Sequence, residues 1–193
     1  MPHNSKAHAM RTLEEEIIAN NITPELAEQA LRLVIGDGNL DAKIIFIGEA
    51  PGKKEDETGL PFVGASGKFL DQLLESIGLH RSDVYITSIV KYRPPKNRDP
   101  KPSEKEAFWP YMVKQIEIIQ PEIVVTLGRH SMWCFLPGVS IGEIHGQAQT
   151  ATIGERTVKV VPLYHPAAAL YNGSLRQTLI SDFINLQDVM LHL

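Results

Sequence analysis

Three short apolar runs constrain this chain more than any other feature. They are Lys43-Ile44-Ile45-Phe46-Ile47, Val84-Tyr85-Ile86-Thr87 and Glu122-Ile123-Val124-Val125-Thr126-Leu127-Gly128. Runs this dense in β-branched residues fit strands buried on both faces, which is the condition of a parallel sheet covered by helices. A fourth strand is expected at 157–162, reached after a hairpin across 143–158. Between the runs lie helical patterns. Phe69, Leu70, Leu73, Leu74 and Ile77 share one face, with Ser66 as the expected cap and Gly78 as the stop. Ser103-x-x-Glu106 opens a helix through Trp109, Met112, Ile116 and Ile119 that Pro121 ends. Segments 129–136 and 174–193 read as two more helices. Upstream, Thr12-x-x-Glu15 and Thr23-Pro24 start two N-terminal helices, the second running as far as Val34. Strands alternating with helices give an α/β fold: a three-layer α/β/α sandwich around a central, mostly parallel four-stranded sheet. Residues 1–11 are expected as a flexible tail and 12–193 as a single domain, an ordinary size for one core.

Composition narrows the classes. The chain has 193 residues, 43% hydrophobic and 22% charged, which excludes wholesale disorder. No apolar run approaches the roughly 18 residues of a membrane helix, and the N-terminus lacks the apolar stretch of a secretory signal. One cysteine, Cys134, excludes an intrachain disulfide and any four-cysteine metal site. The seven histidines show no ligand spacing such as HxxxH, so no metal is expected. The reading is a cytoplasmic, monomeric protein without a cofactor and away from membranes. Net charge is −4, yet the segment from Lys91 to Lys105 carries +4 by itself. A basic island in an acidic chain fits a footprint for a polyanion, or a solvated loop.

In open α/β sheets, ligands bind beyond the carboxyl ends of the strands. Segments 48–52, 88–105, 128–131 and 164–170 are therefore expected to converge on one cleft. The first, Gly48-Glu49-Ala50-Pro51-Gly52, allows a tight turn whose backbone N–H groups can face a ligand. Glu49 at its mouth is a candidate acid, base or cation stabiliser, although a solvated glutamate on an ordinary turn fits the same residues. Phe62 sits in a loop between Pro61 and Gly64. There it can stack on a planar base, worth ~1–3 kcal/mol, or pack beneath the loop. His165, held by Pro166, is placed to donate a hydrogen bond to a developing anion.

Taken in order, the motifs resemble the uracil-DNA glycosylase superfamily, and its family 4 branch in particular. They are GEAPG (48–52), Glu55-Asp56, Gly59-x-Pro61-Phe62-Val63-Gly64-x-x-Gly67, Val84-Tyr85-Ile86-Thr87, Val90-Lys91-x-Arg93-Pro94-Pro95-x-Asn97-Arg98 and His165-Pro166. The resemblance implies hydrolysis of the N-glycosidic bond of a flipped-out uracil in DNA, the first step of base-excision repair. It implies Glu49 and His165 as catalytic residues, with Gly48, Ala50, Phe62 and Ser88 around the base. Glu55 and Asp56 are secondary acidic candidates. Lys91, Arg93 and Arg98 would grip phosphates, and Leu170 would fill the gap left by the flipped nucleotide.

Three departures stand out. Family 4 members usually hold a [4Fe–4S] cluster through four cysteines, and two of those positions are here Tyr92 and Phe108. These rings, with Trp109, are expected to form an apolar plug against the N-terminal helices. Where the family commonly has an asparagine that reads the uracil edge, this chain has Ser88, whose shorter hydroxyl implies relaxed selectivity or reduced activity. His145-Gly146 stands where a basic residue plus glycine is common. Two other readings share the scaffold: excision of another deaminated base, and a catalytically silent DNA-binding relative.

Overall fold

The computed structural model describes residues 3–192. Its centre is a six-stranded sheet in the order β1-β3-β2-β4-β6-β5, formed by β1 (Asp37–Gly38), β2 (Ile44–Gly48), β3 (Tyr85–Ser88), β4 (Ile123–Leu127), β5 (Gln149–Ile153) and β6 (Arg156–Leu163). The four expected strands are the parallel ones, β3-β2-β4-β6. Two antiparallel edge strands extend the expected four-stranded sheet to six. The two-residue β1 pairs with β3, and β5 is the first arm of the anticipated hairpin. Their polar sequences lack the apolar density that marks the inner strands.

Side chains alternate across the sheet, so each inner strand feeds two cores. Ile45, Ile47, Tyr85, Val124 and Val160 face a cluster with Met10, Leu13 and Ile17 of α1 (His3–Ala19), Leu26 of α2 (Pro24–Ala27) and Phe108, Met112 and Ile116 of α5 (Pro102–Ile119). Ile44, Phe46, Ile86, Val125 and Val161 face the opposite cluster. There they meet Phe69, Leu70, Leu73 and Leu74 of α4 (Ala65–Ser76) and Leu179, Phe183 and Leu186 of α9 (Gly173–Leu191). These are the three layers of the α/β/α sandwich.

The N-terminal region corrects two expectations. Met1 and Pro2 lie outside the described residues, but the remainder of the expected tail is the first half of α1. Met10 is buried, and so is Lys6, whose Nζ donates to the carbonyls of Leu40 and Ile119 and pairs with Asp41. Polar composition suggested a free tail, whereas a lysine that satisfies the carbonyl end of α5 docks it. The second helix stops at Ala27 instead of Val34. Beyond it the chain runs extended, with Val34 N–H donating to the Lys91 carbonyl and Leu31 and Arg32 N–H to Asp56. Tertiary hydrogen bonds outweigh the local helical preference there.

Helix α5 starts earlier than its expected box. Lys101 caps it, Pro102 occupies the first turn, and the Glu104 carboxylate accepts from Lys101 N–H at 2.7 Å. Tyr92 and Phe108 are both buried and meet edge to face, with centroids 6.0 Å apart, in the cluster that holds Met10, Leu13 and Ile17. Trp109 lies at the margin of that cluster, edge-on to Phe135. Two of the positions where the family usually has cysteines are thus filled by aromatic rings, and Cys134 is the one cysteine in the sequence. An iron–sulfur cluster does not fit these residues. Truncating the plug should therefore act on stability. Phe108→Ala is expected to cost ~3–5 kcal/mol, read as a lowered midpoint in urea unfolding.

Candidate active site

Parallel register brings Gly48, Ser88, Leu127 and Leu163 to one end of the sheet. The segments that leave these ends enclose a cleft of about 380 Å³, lined among others by Glu49, Ala50, Phe62, Ser88, Asn97 and His165. Segments 48–52, 88–105 and 164–170 meet there as expected. The remaining one, 128–131, supports it from the side, where a Cβ on Gly128 would stand 3.1 Å from the His165 Cβ.

Phe62 is held in a conformation that a bulky residue rarely adopts, with φ at 51°. Several groups enforce it. Glu55 Oε1 accepts from Val63 and Gly64 N–H at 2.9 and 3.0 Å, while its Oε2 accepts from Gly52 N–H at 3.1 Å. One carboxylate therefore ties the 48–52 turn to the Phe62 loop. Arg81, paired with Asp71 at 2.6 Å, donates to the carbonyls of Pro61 and Phe62. Gly67 admits the Phe62 carbonyl where a Cβ would collide with it at 1.8 Å. Gly48 is likewise required, since a Cβ there would meet the Phe62 ring at 2.7 Å. The ring ends near-parallel to His165, with centroids 5.6 Å apart and planes 25° apart.

His165 caps α8 (Pro166–Ala169), its Nδ1 accepting from Ala167 N–H at 3.1 Å. The hydrogen of the neutral ring is therefore on Nε2. Burial pushes the imidazole down to about 4, so it is neutral near pH 7. It is a hydrogen-bond donor with a fixed tautomer.

Glu49 is the opposite case. Its Oε1 is buried and has no hydrogen-bond partner among the described residues. Burial first, and then the nearby Asp99 charge, raise its carboxyl to about 7; Lys105 and Arg129 oppose that shift. His130, at the start of α6 (Arg129–Phe135), faces Oε1 with Nδ1 3.6 Å away. Ligand atoms of Glu49, Asp99 and His130 lie within 4.8 Å of one another. The Arg129 guanidinium donates to the other histidine nitrogen at 3.2 Å, so these groups form one polar network.

Other expected site residues have different work. Lys91 is fully buried, its Nζ donating to Thr87 Oγ1, the Ser88 carbonyl and Gln115 Oε1. That corrects its expected phosphate contact: an ammonium enclosed by three acceptors cannot reach solvent, and burial pulls its pKa down. It braces β3 behind Ser88 instead. Glu55 is consumed by three backbone N–H groups. Asp56 is nearly as occupied, by Leu31 and Arg32 N–H and by Arg93 at 3.9 Å. Both acids are thus engaged by backbone donors, whereas Glu49 Oε1 has no partner among the described residues.

Arg98 forms a forked pair with Glu104, at 2.9 and 2.6 Å, and still lines the cleft. Arg93 donates to Asn97 Oδ1. Leu170 is partly packed against the α4–α9 core, while its neighbour Tyr171 is 95% exposed. His145 is bound by Asp182 at 2.9 Å and joins α7 (Ile141–Ile144) to α9. Asp99, Arg81 and His130 were not singled out from the sequence, and Asn97 appeared there only as part of a motif. For His130 the signal was positional, since it directly follows a buried parallel strand. Arg81 carries no such local mark.

The chain as a whole is similar to known proteins. Residues 35–186 match the family model described as the uracil DNA glycosylase superfamily. A type-4 uracil-DNA glycosylase of Saccharolobus solfataricus is 48% identical over 163 residues, covering 81% of this chain and 76% of that protein. One from Sulfurisphaera tokodaii is 43% identical over 187 residues, 94% of this chain and 84% of its own. One from Archaeoglobus fulgidus is 46% identical over 164 residues, 82% of each. A neutral histidine, a desolvated glutamate and a buried loop phenylalanine around one cleft, on a sheet matched over most of its length, leave one conclusion: the chain belongs to the uracil DNA glycosylase superfamily.

Proposed function

We propose that a uracil turned out of DNA enters the cleft and is cut from its sugar by water, leaving an abasic site in the manner of base-excision repair. The observation that carries this reading is the pairing of His165 and Glu49, a neutral donor and a desolvated acid on the same cleft. Breaking the C1′–N1 bond leaves its electron pair on the base and positive charge on the sugar. Water oxygen then bonds to C1′, and its proton is taken by Glu49. His165 Nε2–H meets the uracil oxygen where negative charge gathers, which a preorganised donor stabilises without reorganising. The Phe62 ring stacks on the base, and the backbone at Gly48 and Ala50 lines its edge. Ser88 reads the far edge with a hydroxyl where an amide would both donate and accept.

At the cleft rim, Arg98 and, beyond it, Arg93 and the exposed Lys96 face the flanking phosphates, giving salt-sensitive and sequence-independent affinity. Leu170, with Tyr171 beside it, stands at the gap left by the everted nucleotide. No helix among the described residues is long and apolar enough to cross a membrane. The protein acts as a monomer in the cytoplasm in this reading, since one cleft contains every group the reaction uses.

The test is excision from a labelled uracil-containing oligonucleotide, with alkali cleaving the abasic product. His165→Ala is expected to slow single-turnover excision by roughly 10²–10³-fold, the usual cost of one transition-state donor. Retention of the full rate would remove His165 from the chemistry. pH dependence should come from Glu49. Its carboxyl, raised to about 7, is protonated below that pH and ionised above it, so kcat/KM rises through pH 7 and then levels. Glu49→Gln should abolish that limb and cost about 10²-fold or more on the alkaline side. His165, at about 4, is neutral throughout this range and contributes no limb. Ser88→Asn should raise the preference for uracil over cytosine, which differs at the edge an amide reads, by about tenfold, measured on matched oligonucleotides.

A further inference from the structure

We infer that His130 is a positioning residue for Glu49, presenting an Nδ1–H that orients and ionises the carboxylate. The inference rests on the reading of Glu49 as the acid that handles water. The ring is held from its far side. Nε2 lies 3.2 Å from Arg129 Nε and 3.2 Å from Asp99 Oδ2, and Trp133 packs edge-on against the ring at 5.7 Å. Arg129 donates to Nε2, so the neutral ring carries its hydrogen on Nδ1. The protonated ring, its Nε2–H turned to Asp99, carries a hydrogen on Nδ1 as well. In both states an N–H points toward Glu49 Oε1, the oxygen that is buried without a hydrogen-bond partner.

The present separation of 3.6 Å is just beyond hydrogen-bond length. Catalytic hydrogen bonds are often long without substrate and tighten in the complex, so a small rotation of either side chain suffices. Occupying Oε1 in this way leaves Oε2 for water. A donor to the ionised carboxylate also opposes burial, which otherwise keeps the acid protonated. Other charged or titratable groups act on Glu49 too. Asp99 precedes α5, Lys105 lies on α5, and Arg129 and Cys134 lie on α6. Asp99 disfavours the ionised form, while Lys105 and Arg129 favour it. His130 differs from these by being directional, since it selects one oxygen.

The experiment is the pH profile of excision from a uracil-containing oligonucleotide by His130→Leu, which keeps bulk without a donor, and by His130→Asn, whose amide N–H falls near the place of Nδ1. Thermal melting verifies that both are folded, as expected for a side chain on the surface turn of α6. In His130→Leu the midpoint of the acid limb should move up by about one pH unit, a roughly tenfold loss below it, with little loss on the alkaline plateau. His130→Asn should return the midpoint toward that of the parent protein. A midpoint unmoved in His130→Leu, a loss equal at every pH, or an equal shift in both variants would overturn the inference. Glu49→Gln separates the two readings. If it leaves the limb intact, Glu49 is not the acid and both fall. If it removes the limb while His130→Leu does not move it, only the role of His130 falls.

Discussion

A single carboxylate closes the site. Glu55 accepts hydrogen bonds from Gly52, Val63 and Gly64, and these belong to the two loops that carry Glu49 and Phe62. That bridge helps to hold a phenylalanine in a left-handed conformation beside His165. Charge-assisted bonds to an ionised acceptor are roughly twice as strong as neutral ones, and here three converge on one group. Arg81 and Asp71 brace the same loop from below, while Gly48 and Gly67 leave the space it occupies. The strain at Phe62 is thus over-determined by its surroundings, as strained backbone at a functional site must be.

Around this clamp the chain separates two kinds of ionisable group. Those tied up by hydrogen bonds and ion pairs, Glu55, Asp56, Lys91 and Glu104, are structural. Glu49 and His165 are desolvated without full compensation, and their proton affinities move in the directions that leave the acid protonated and the histidine neutral. Burial is the largest cause of both shifts, because a low-dielectric cleft disfavours whichever form carries charge, and the Asp99 charge adds to it at Glu49. The cleft therefore holds a neutral donor, and an acid whose ionisation falls near neutral pH. In the core beneath, Tyr92 and Phe108 supply apolar contact at two positions where the family usually has cysteines.

Much of this was legible before any coordinates. The parallel strands, the rule that ligands gather beyond their carboxyl ends, and the turn at 48–52 located the cleft from periodicity and glycine placement alone. The hidden parts share a physical cause. A basic residue in a basic loop looks the same whether it faces phosphate or, like Lys91, is enclosed by Thr87, Ser88 and Gln115. Glu55 and Asp56 look like spare acids until the amides that consume them, up to 25 residues away, are brought alongside. The N-terminal helix was masked by polar composition, because its docking depends on Lys6 reaching the far end of α5.

The linear chain by itself determined the layered α/β architecture, the convergence of its post-strand loops and the presence of Glu49, Phe62 and His165 among them. These follow from residue periods of two and 3.6 and from short-range turn chemistry, which are local properties. Only the tertiary structure decided which acid remains free, which nitrogen of His165 carries the hydrogen, and that His130 faces Glu49 across the cleft wall. Those outcomes depend on who occupies each hydrogen-bonding group and how much water is excluded, and both are settled by partners distant in the chain.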